Sequence, residues 1–336
     1  MTDRPKVAML MPSATRARVL APADADRLAS FADVAMFEDR ELTGDGLPEL
    51  LDGAVAAITG WKSPPLPAAA LEEASALRFV AHAAGSVRFL DVADAVAAGR
   101  LRVSHSAAMI AQPVAEFTVA QMLMHLRHIV EFDAGMRARE PWFQLRDKQL
   151  GQMLCDQTVG LVGAGYVGRL VIDLLRAFKP RVLVYDPYLT DEGAEALGVT
   201  RASLEELFAA CDIVSLHAPV IPETRHMITG EHLAQLRDGA LLINTARAAI
   251  IDEAVLLDHL RTGRFTAAID VFETEPLPDD SPLRDLPNVR LAPHASGHSA
   301  GSYLRQGRTA VEEVHRFVTG APLQHEVTKE KLALMA

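Results

Sequence analysis

The chain has 336 residues, 49% hydrophobic and 23% charged, and its 33 basic and 44 acidic side chains give a formal net charge of −11. That length exceeds what one small core holds and predicts two domains, each burying a substantial interior. The acidic balance, with no basic stripe, argues against a nucleic-acid partner, and no apolar run approaches the roughly 20 residues of a membrane helix.

The first six residues lead into a short strand-like run without the length or cleavage pattern of a secretory signal, so a cytoplasmic location is expected. Strand-like runs then recur at 7–11, 54–59, 79–82, 159–162, 182–185, 213–217, 241–244, 267–271 and 289–292, most of them separated by helix-length segments. The alternation implies parallel sheets covered by helices on both faces. After about residue 103 the pattern is interrupted by "QPVAEFTVAQMLMHLRHIVEF", which predicts a helix with Pro113 in its first turn. It is apolar nearly all round and is expected to be buried between domains or subunits. A last helical segment at 302–318 has no strand after it and is expected to pack back against the first domain, making that domain discontinuous. Cys155 and Cys211 are isolated from any second Cys or His at ligand spacing, which predicts two small buried side chains and no metal site.

Gly163, Gly165 and Gly168 form G-x-G-x-x-G between the run at 159–162 and a helical pattern at 170–178. The first glycine permits the turn, the second lets backbone amides approach a pyrophosphate, and the third lets the helix pack closely on the strand. Asp186 ends the next strand 18 residues after Gly168, near the spacing at which a carboxylate accepts from the adenosine ribose. A ribose phosphate would meet a like charge there, so NAD is expected over NADP.

Dinucleotide sites lie at the carboxyl ends of parallel strands, and three later strand ends carry unusual polar residues. "LLINTARAAI" ends in Thr245, Ala246 and Arg247; "TAAIDVFETEP" carries Asp270, Glu273 and Glu275; "VRLAPHASGH" carries His294. An Arg, a carboxylate and a His at one sheet edge provide an anion clamp, a partner for an imidazole and a proton donor. Those are the needs of carbonyl reduction on a carboxylate substrate.

With V-A-E at 114–116, the glycine fingerprint, Asp186-Pro187, "LHAP" at 216–219, "NTAR" at 244–247, "DVFETEP" at 270–276 and "PHASG" at 293–297, the chain resembles the D-isomer-specific 2-hydroxyacid dehydrogenases over nearly its whole length. The resemblance implies an α/β fold of two doubly wound parallel-sheet domains. A Rossmann NAD-binding domain (108–302) would be inserted into a flavodoxin-like substrate domain (1–107 plus 303–336). It implies that Arg247 binds and polarises a 2-keto acid, that His294 is the acid and base, and that Glu275 hydrogen-bonds it and favours the imidazolium form. Gly85 and Ser86 would offer amides to the substrate carboxylate. The NAD contacts it implies are Gly163, Gly165, Tyr166, Val167, Gly168, Asp186, His217, Ala218, Pro219, Thr224, Thr245, Ala246, Asp270, Ser296 and Gly297. A homodimer joined through the NAD-binding domains is expected from the resemblance and from the apolar helix.

The sequence departs from the family pattern in places. The loop "AAGSVRFLD" reads one residue longer before Asp91, and its Arg88 either adds a second anion contact or faces solvent. Ala248 stands where Gly is common, which would narrow that turn, and Ser296 where Ala is usual. Trp61 and Trp142 either shape an apolar substrate pocket or pack half-buried. Three rival readings carry less weight. Gly297 to Gly301 matches the hydrolase pattern G-x-S-x-G, but only 35 residues follow. His294 and His298 are four apart, but no third metal ligand stands at suitable spacing. An NAD(H)-sensing, corepressor-like protein without turnover would share the fold, but Arg247, Glu275 and His294 favour catalysis.

Overall fold

The computed structural model describes residues 4–36, 46–148, 150–333 and 335. The chain folds into two compact units, residues 1–110 with 298–336 and residues 111–297. Among the described residues no helix is long and apolar enough to cross a membrane.

The first unit holds strands β1 (Lys6–Met9), β2 (Asp33–Met36), β3 (Ala56–Thr59), β4 (Phe79–His82) and β5 (Arg102–His105). All neighbours are parallel, in the order β2-β1-β3-β4-β5, the flavodoxin-like arrangement. β3 and β4 are buried along their whole length, which is why they read as unbroken apolar runs rather than alternating ones. The helix Ala300–Val318 belongs to this unit, where Phe317 stacks on the buried Phe79 at 4.9 Å between ring centroids. Gly307 lets that helix meet the chain at Val19, since a Cβ at Gly307 would lie 1.8 Å from the Val19 carbonyl oxygen.

The second unit holds β6 (Thr158–Val162), β7 (Arg181–Tyr185), β8 (Thr200–Arg201), β9 (Ile213–Leu216), β10 (Leu241–Asn244), β11 (Thr266–Ile269) and β12 (Val289–Leu291). Its sheet is also parallel throughout, ordered β12-β11-β10-β9-β6-β7-β8, a Rossmann order in which the strand order reverses between β6 and β9. The α/β class with two doubly wound parallel sheets is therefore the one the family resemblance implies, and the parallel pairing is what the alternating runs predict. The helix Tyr166–Leu175 buries Gly168, Val171, Ile172 and Leu175, one face at helical spacing.

Two expectations need correction. Pro113 lies inside a helix running Ala107–Leu126, not in a first turn, and a second helix, Ile129–Arg137, follows after His128 adopts a left-handed backbone. Proline removes the N–H that would bond the Met109 carbonyl, and the Ser302 hydroxyl donates to that oxygen at 2.9 Å instead. Cys211 is buried as expected, but Cys155 is exposed.

Candidate active site

The carboxyl end of β6 passes directly into the glycine turn. Gly163 has φ +105°, and a Cβ on it would lie 2.9 Å from the His217 carbonyl carbon, so the turn and the crossing of the segment after β9 both require glycine. A Cβ on Gly168 would lie 2.1 Å from the Gly163 oxygen, which fixes how closely the helix Tyr166–Leu175 packs on its strand. Gly165, the N-cap of that helix, has nothing within 4 Å of where a Cβ would sit, and its side offers no capping group to the first-turn amides. An open, amide-rich helix start is what a pyrophosphate needs, so these residues fit a dinucleotide.

Asp186 closes β7 and accepts from the Ala164 amide at 2.7 Å and the Tyr188 amide at 2.8 Å. It thus braces the glycine turn as well as presenting charge, and each carboxylate oxygen keeps a second lone pair for a ribose hydroxyl. Beside it lies a cavity of about 360 Å³, lined among others by Tyr185, Pro187, Arg201 and Glu206. After β9, the His217 ring nitrogen Nε2 lies 3.0 Å from the Ser215 hydroxyl, and burial pushes the pKa of His217 down to about 4. Thr224 accepts from the Ile221 amide and donates to the Pro219 carbonyl, shaping the segment at 218–224.

The three polar strand ends converge only in part by direct contact. His294 Nδ1 lies 2.8 Å from Glu275 Oε2, and the Phe272 amide donates to Glu275 Oε1 at 3.1 Å. Glu273 faces elsewhere, with its Oε1 accepting from the Glu253 amide at 3.4 Å, so Glu275 is the acid that meets the histidine. His294 has a left-handed backbone, φ +51°. The buried Asp270 carboxylate clamps the next two residues, accepting from the Ala295 and Ser296 amides at 2.7 and 2.9 Å. Arg247 donates from one guanidinium nitrogen to the Ala246 carbonyl at 2.7 Å. Burial pushes the guanidinium pKa down, and the nearby Glu275 charge acts in the opposite direction. Ala248 takes no left-handed backbone and opens a short 3-10 turn at Ala248–Ile250, which explains why alanine is accepted there.

Asn244, the first residue of the NTAR motif, has a role that the motif alone does not reveal. It is buried, its carbonyl oxygen accepts from the Ala246 amide at 3.1 Å, and its amide donates to the Arg247 carbonyl at 3.0 Å. The turn carrying Arg247 is therefore wound around one side chain. Thr245 lies 3.3 Å, hydroxyl to hydroxyl, from the buried Thr118 of the long helix, a contact that no local pattern announces.

In the first unit, Gly85 and Ser86 follow β4 and are partly buried, while Arg88 is exposed. Thr59, His82 and His105 end β3, β4 and β5 and are all buried. Thr59 and His82 close the apolar runs at 54–59 and 79–82, the same strand-end signal that marks the second sheet, whereas His105 ends a strand that no apolar run announces. Trp61 and Trp142 are 47% and 63% exposed. Ser299 sits at the N-cap of Ala300–Val318 on extended backbone, not on a strained nucleophile turn, and His298 Nε2 lies 3.0 Å from the Tyr303 hydroxyl.

Residues 119–296 match the model of the D-isomer specific 2-hydroxyacid dehydrogenase NAD binding domain. The chain is 37% identical to a D-3-phosphoglycerate dehydrogenase of Mycobacterium leprae over 251 residues, 74% of this chain and 47% of that protein. It therefore spans about half the length of that relative. It is 34% identical to a glyoxylate reductase of Korarchaeum cryptofilum over 268 residues, 79% of this chain and 80% of the relative. A solved Thermus thermophilus protein is 30% identical, with a TM-score of 0.77 over 96% of this chain and 100% of that one. The apo form of a Rhodotorula graminis D-mandelate dehydrogenase shares the fold at TM-score 0.84 and 23% identity, over 96% of this chain and 97% of that one. The chain belongs to the D-isomer specific 2-hydroxyacid dehydrogenase family, and its second unit carries that family's NAD binding domain.

Proposed function

We propose that this chain is an NAD-dependent reductase of small 2-keto acids, giving D-2-hydroxy acids and running in reverse when the product is in excess. The observation that carries the reading is the 2.8 Å pairing of His294 with Glu275 beside Arg247, on the sheet that bears the glycine turn. The glyoxylate reductase relative suggests the substrate size.

When bound, the nicotinamide supplies the hydride that reduces the keto carbon. His294 donates Nδ1–H to Glu275, which leaves Nε2 to give a proton to the keto oxygen and to take it back in the reverse direction. Arg247 holds the substrate carboxylate in a bidentate fork. Asp270 fixes the backbone after His294 so that the ring is presented at one angle. In the first unit, Gly85 and Ser86 carry backbone amides of the kind that bind a substrate carboxylate, and in the second Asp186 disfavours a phosphorylated ribose.

A homodimer in the cytoplasm is part of the reading. In the second unit, Ile129, Val130, Met136, Trp142, Phe143 and Met153 are each more than 40% exposed, a concentration of apolar surface that a second copy would cover. A monomeric mass by light scattering would reject the dimer. The catalytic reading is tested by NADH consumption with glyoxylate, hydroxypyruvate, pyruvate and bulkier keto acids. Reduction of at least one of the small acids is expected. NADH binding with no turnover on any of them would favour a sensor of the dinucleotide instead.

A further inference from the structure

The register of the first sheet sets three polar residues in a row. Thr59 is the partner of His82, and His82 is the partner of His105, so the ends of β3, β4 and β5 lie side by side. All three are buried, and the Thr59 hydroxyl lies 2.8 Å from His82 Nδ1. His82 also meets the edge of Phe89, with ring centroids 5.3 Å apart. Burial pushes the pKa of His82 down to about 3, with His105 adding to the effect. Burial likewise lowers that of His105, against the opposing effect of its hydrogen bond to Gly85.

His105 is tied to the loop that follows β4. Its Nδ1 lies 3.0 Å from the Gly85 carbonyl oxygen. A carbonyl only accepts, so Nδ1 carries the proton and donates. The next residue, Ser106, donates its amide to the Ala84 carbonyl at 2.9 Å. Two successive carbonyls of the loop are thus held by two successive residues at the end of β5. That strand end is itself braced from its far edge, where the His105 amide donates to the His325 carbonyl and the Val327 amide to the Val103 carbonyl. The buried Glu313 carboxylate fixes the segment that supplies these contacts by accepting from the Gln324 and His325 amides.

The Gly85 carbonyl and the Ser86 N–H belong to one peptide plane, and in a trans peptide they point in opposite directions. We infer that His105 is a positioning residue for substrate: by gripping the Gly85 carbonyl it aims the Ser86 N–H away from β5, toward the carboxylate of the 2-keto acid. The inference rests on the reductase reading above, in which Ser86 is a carboxylate donor. It gives a buried histidine a role in binding rather than in chemistry.

The test compares wild type with His105→Leu, which lacks a donor, and His105→Gln, which keeps an N–H. With the best substrate among glyoxylate, hydroxypyruvate and pyruvate, His105→Leu is expected to raise KM about tenfold or more, as the loss of a hydrogen bond to a charged group does. kcat and NADH affinity should stay within about threefold, and His105→Gln should recover most of the KM. Equal losses in kcat and KM, or no rescue by Gln, would overturn the inference. A second readout does not need turnover: long-range proton–nitrogen spectra of the wild type should show His105 protonated at Nδ1, and the Ser86 amide resonance should move in His105→Leu. If wild type reduces no keto acid, the reductase reading fails on its own. A stationary Ser86 resonance, or an Nε2-protonated His105, would overturn the positioning role whether or not the enzyme turns over.

Discussion

Glu275 grips His294 with one carboxylate oxygen at 2.8 Å and the Phe272 amide with the other at 3.1 Å, so the acid is anchored before it orients the ring. Charge and orientation can be separated by substitution. Glu275→Gln keeps an oxygen for one partner but removes the charge, and is expected to lower kcat for reduction roughly 10- to 100-fold, less than the roughly 100- to 10,000-fold of general acid–base catalysis because His294 itself remains. Glu275→Ala releases the ring as well and should be worse. Glu273→Gln, beside the Glu253 amide, should leave kcat unchanged. Steady-state kinetics on the three variants decides this, and a Glu273 effect as large as that of Glu275 would reassign the acid.

Arg247 depends on Asn244 in a different way. Asn244 accepts from Ala246 and donates to the Arg247 carbonyl, so Asn244→Asp keeps the first bond and sets an acceptor against an acceptor in the second. Removing a buried partner costs about 1 to 3 kcal/mol. The expected outcome is a KM for the keto acid raised about tenfold in Asn244→Asp, with NADH affinity nearly unchanged. Fluorescence titration of NADH alongside keto-acid kinetics separates the two. A loss confined to NADH binding would show that Asn244 serves the cofactor turn instead.

The glycines make a prediction about folding against binding. A Cβ at Gly165 meets nothing within 4 Å, while one at Gly168 would lie 2.1 Å from the backbone oxygen of Gly163. Gly165→Ala should therefore fold normally yet bind NADH weakly, because the methyl stands over the open helix start. Gly168→Ala should lose about 1 to 3 kcal/mol of stability or more through overpacking. Urea unfolding and NADH titration of both variants check the contrast. Equal stability losses at the two positions would refute it.

Why the sequence revealed one unit better than the other follows from particular residues. The second unit was legible because buried parallel strands read as apolar runs and its polar strand ends, Arg247 and His294, stand out against them. β2, β5 and β8 do not stand out as apolar runs. β8 has two residues, β2 is only half-buried, and β5 reads Arg-Val-Ser-His, where the buried Ser104 and His105 hide a strand inside polar letters. Pro113 misled because its helix continues through it, with the freed Met109 carbonyl satisfied by Ser302, a partner 193 residues away. Nothing local to either residue encodes that bond. Asn244 was visible, but its function lies in a turn geometry that only coordinates display.

His82 gives the fold a dependence on acid. Its pKa in the folded chain is pushed from 6.5 to about 3 by burial and by His105, so the unfolded chain takes up a proton that the folded chain refuses. The stabilisation from keeping this ring neutral is complete above the unfolded value of 6.5 and is lost progressively as the pH falls toward 3. Between pH 7.5 and 5 this single group should remove about 2 kcal/mol, at 1.36 kcal/mol for each unit of differential protonation. His82→Gln cannot titrate but can still reach the Thr59 hydroxyl, so it should be less stable than wild type at pH 7.5 and lose less on acidification. Urea midpoints of both proteins at the two pH values give the difference, in which the remaining titrating groups cancel. If wild type and His82→Gln lose equal stability between pH 7.5 and 5, the ring is not held neutral in the folded state.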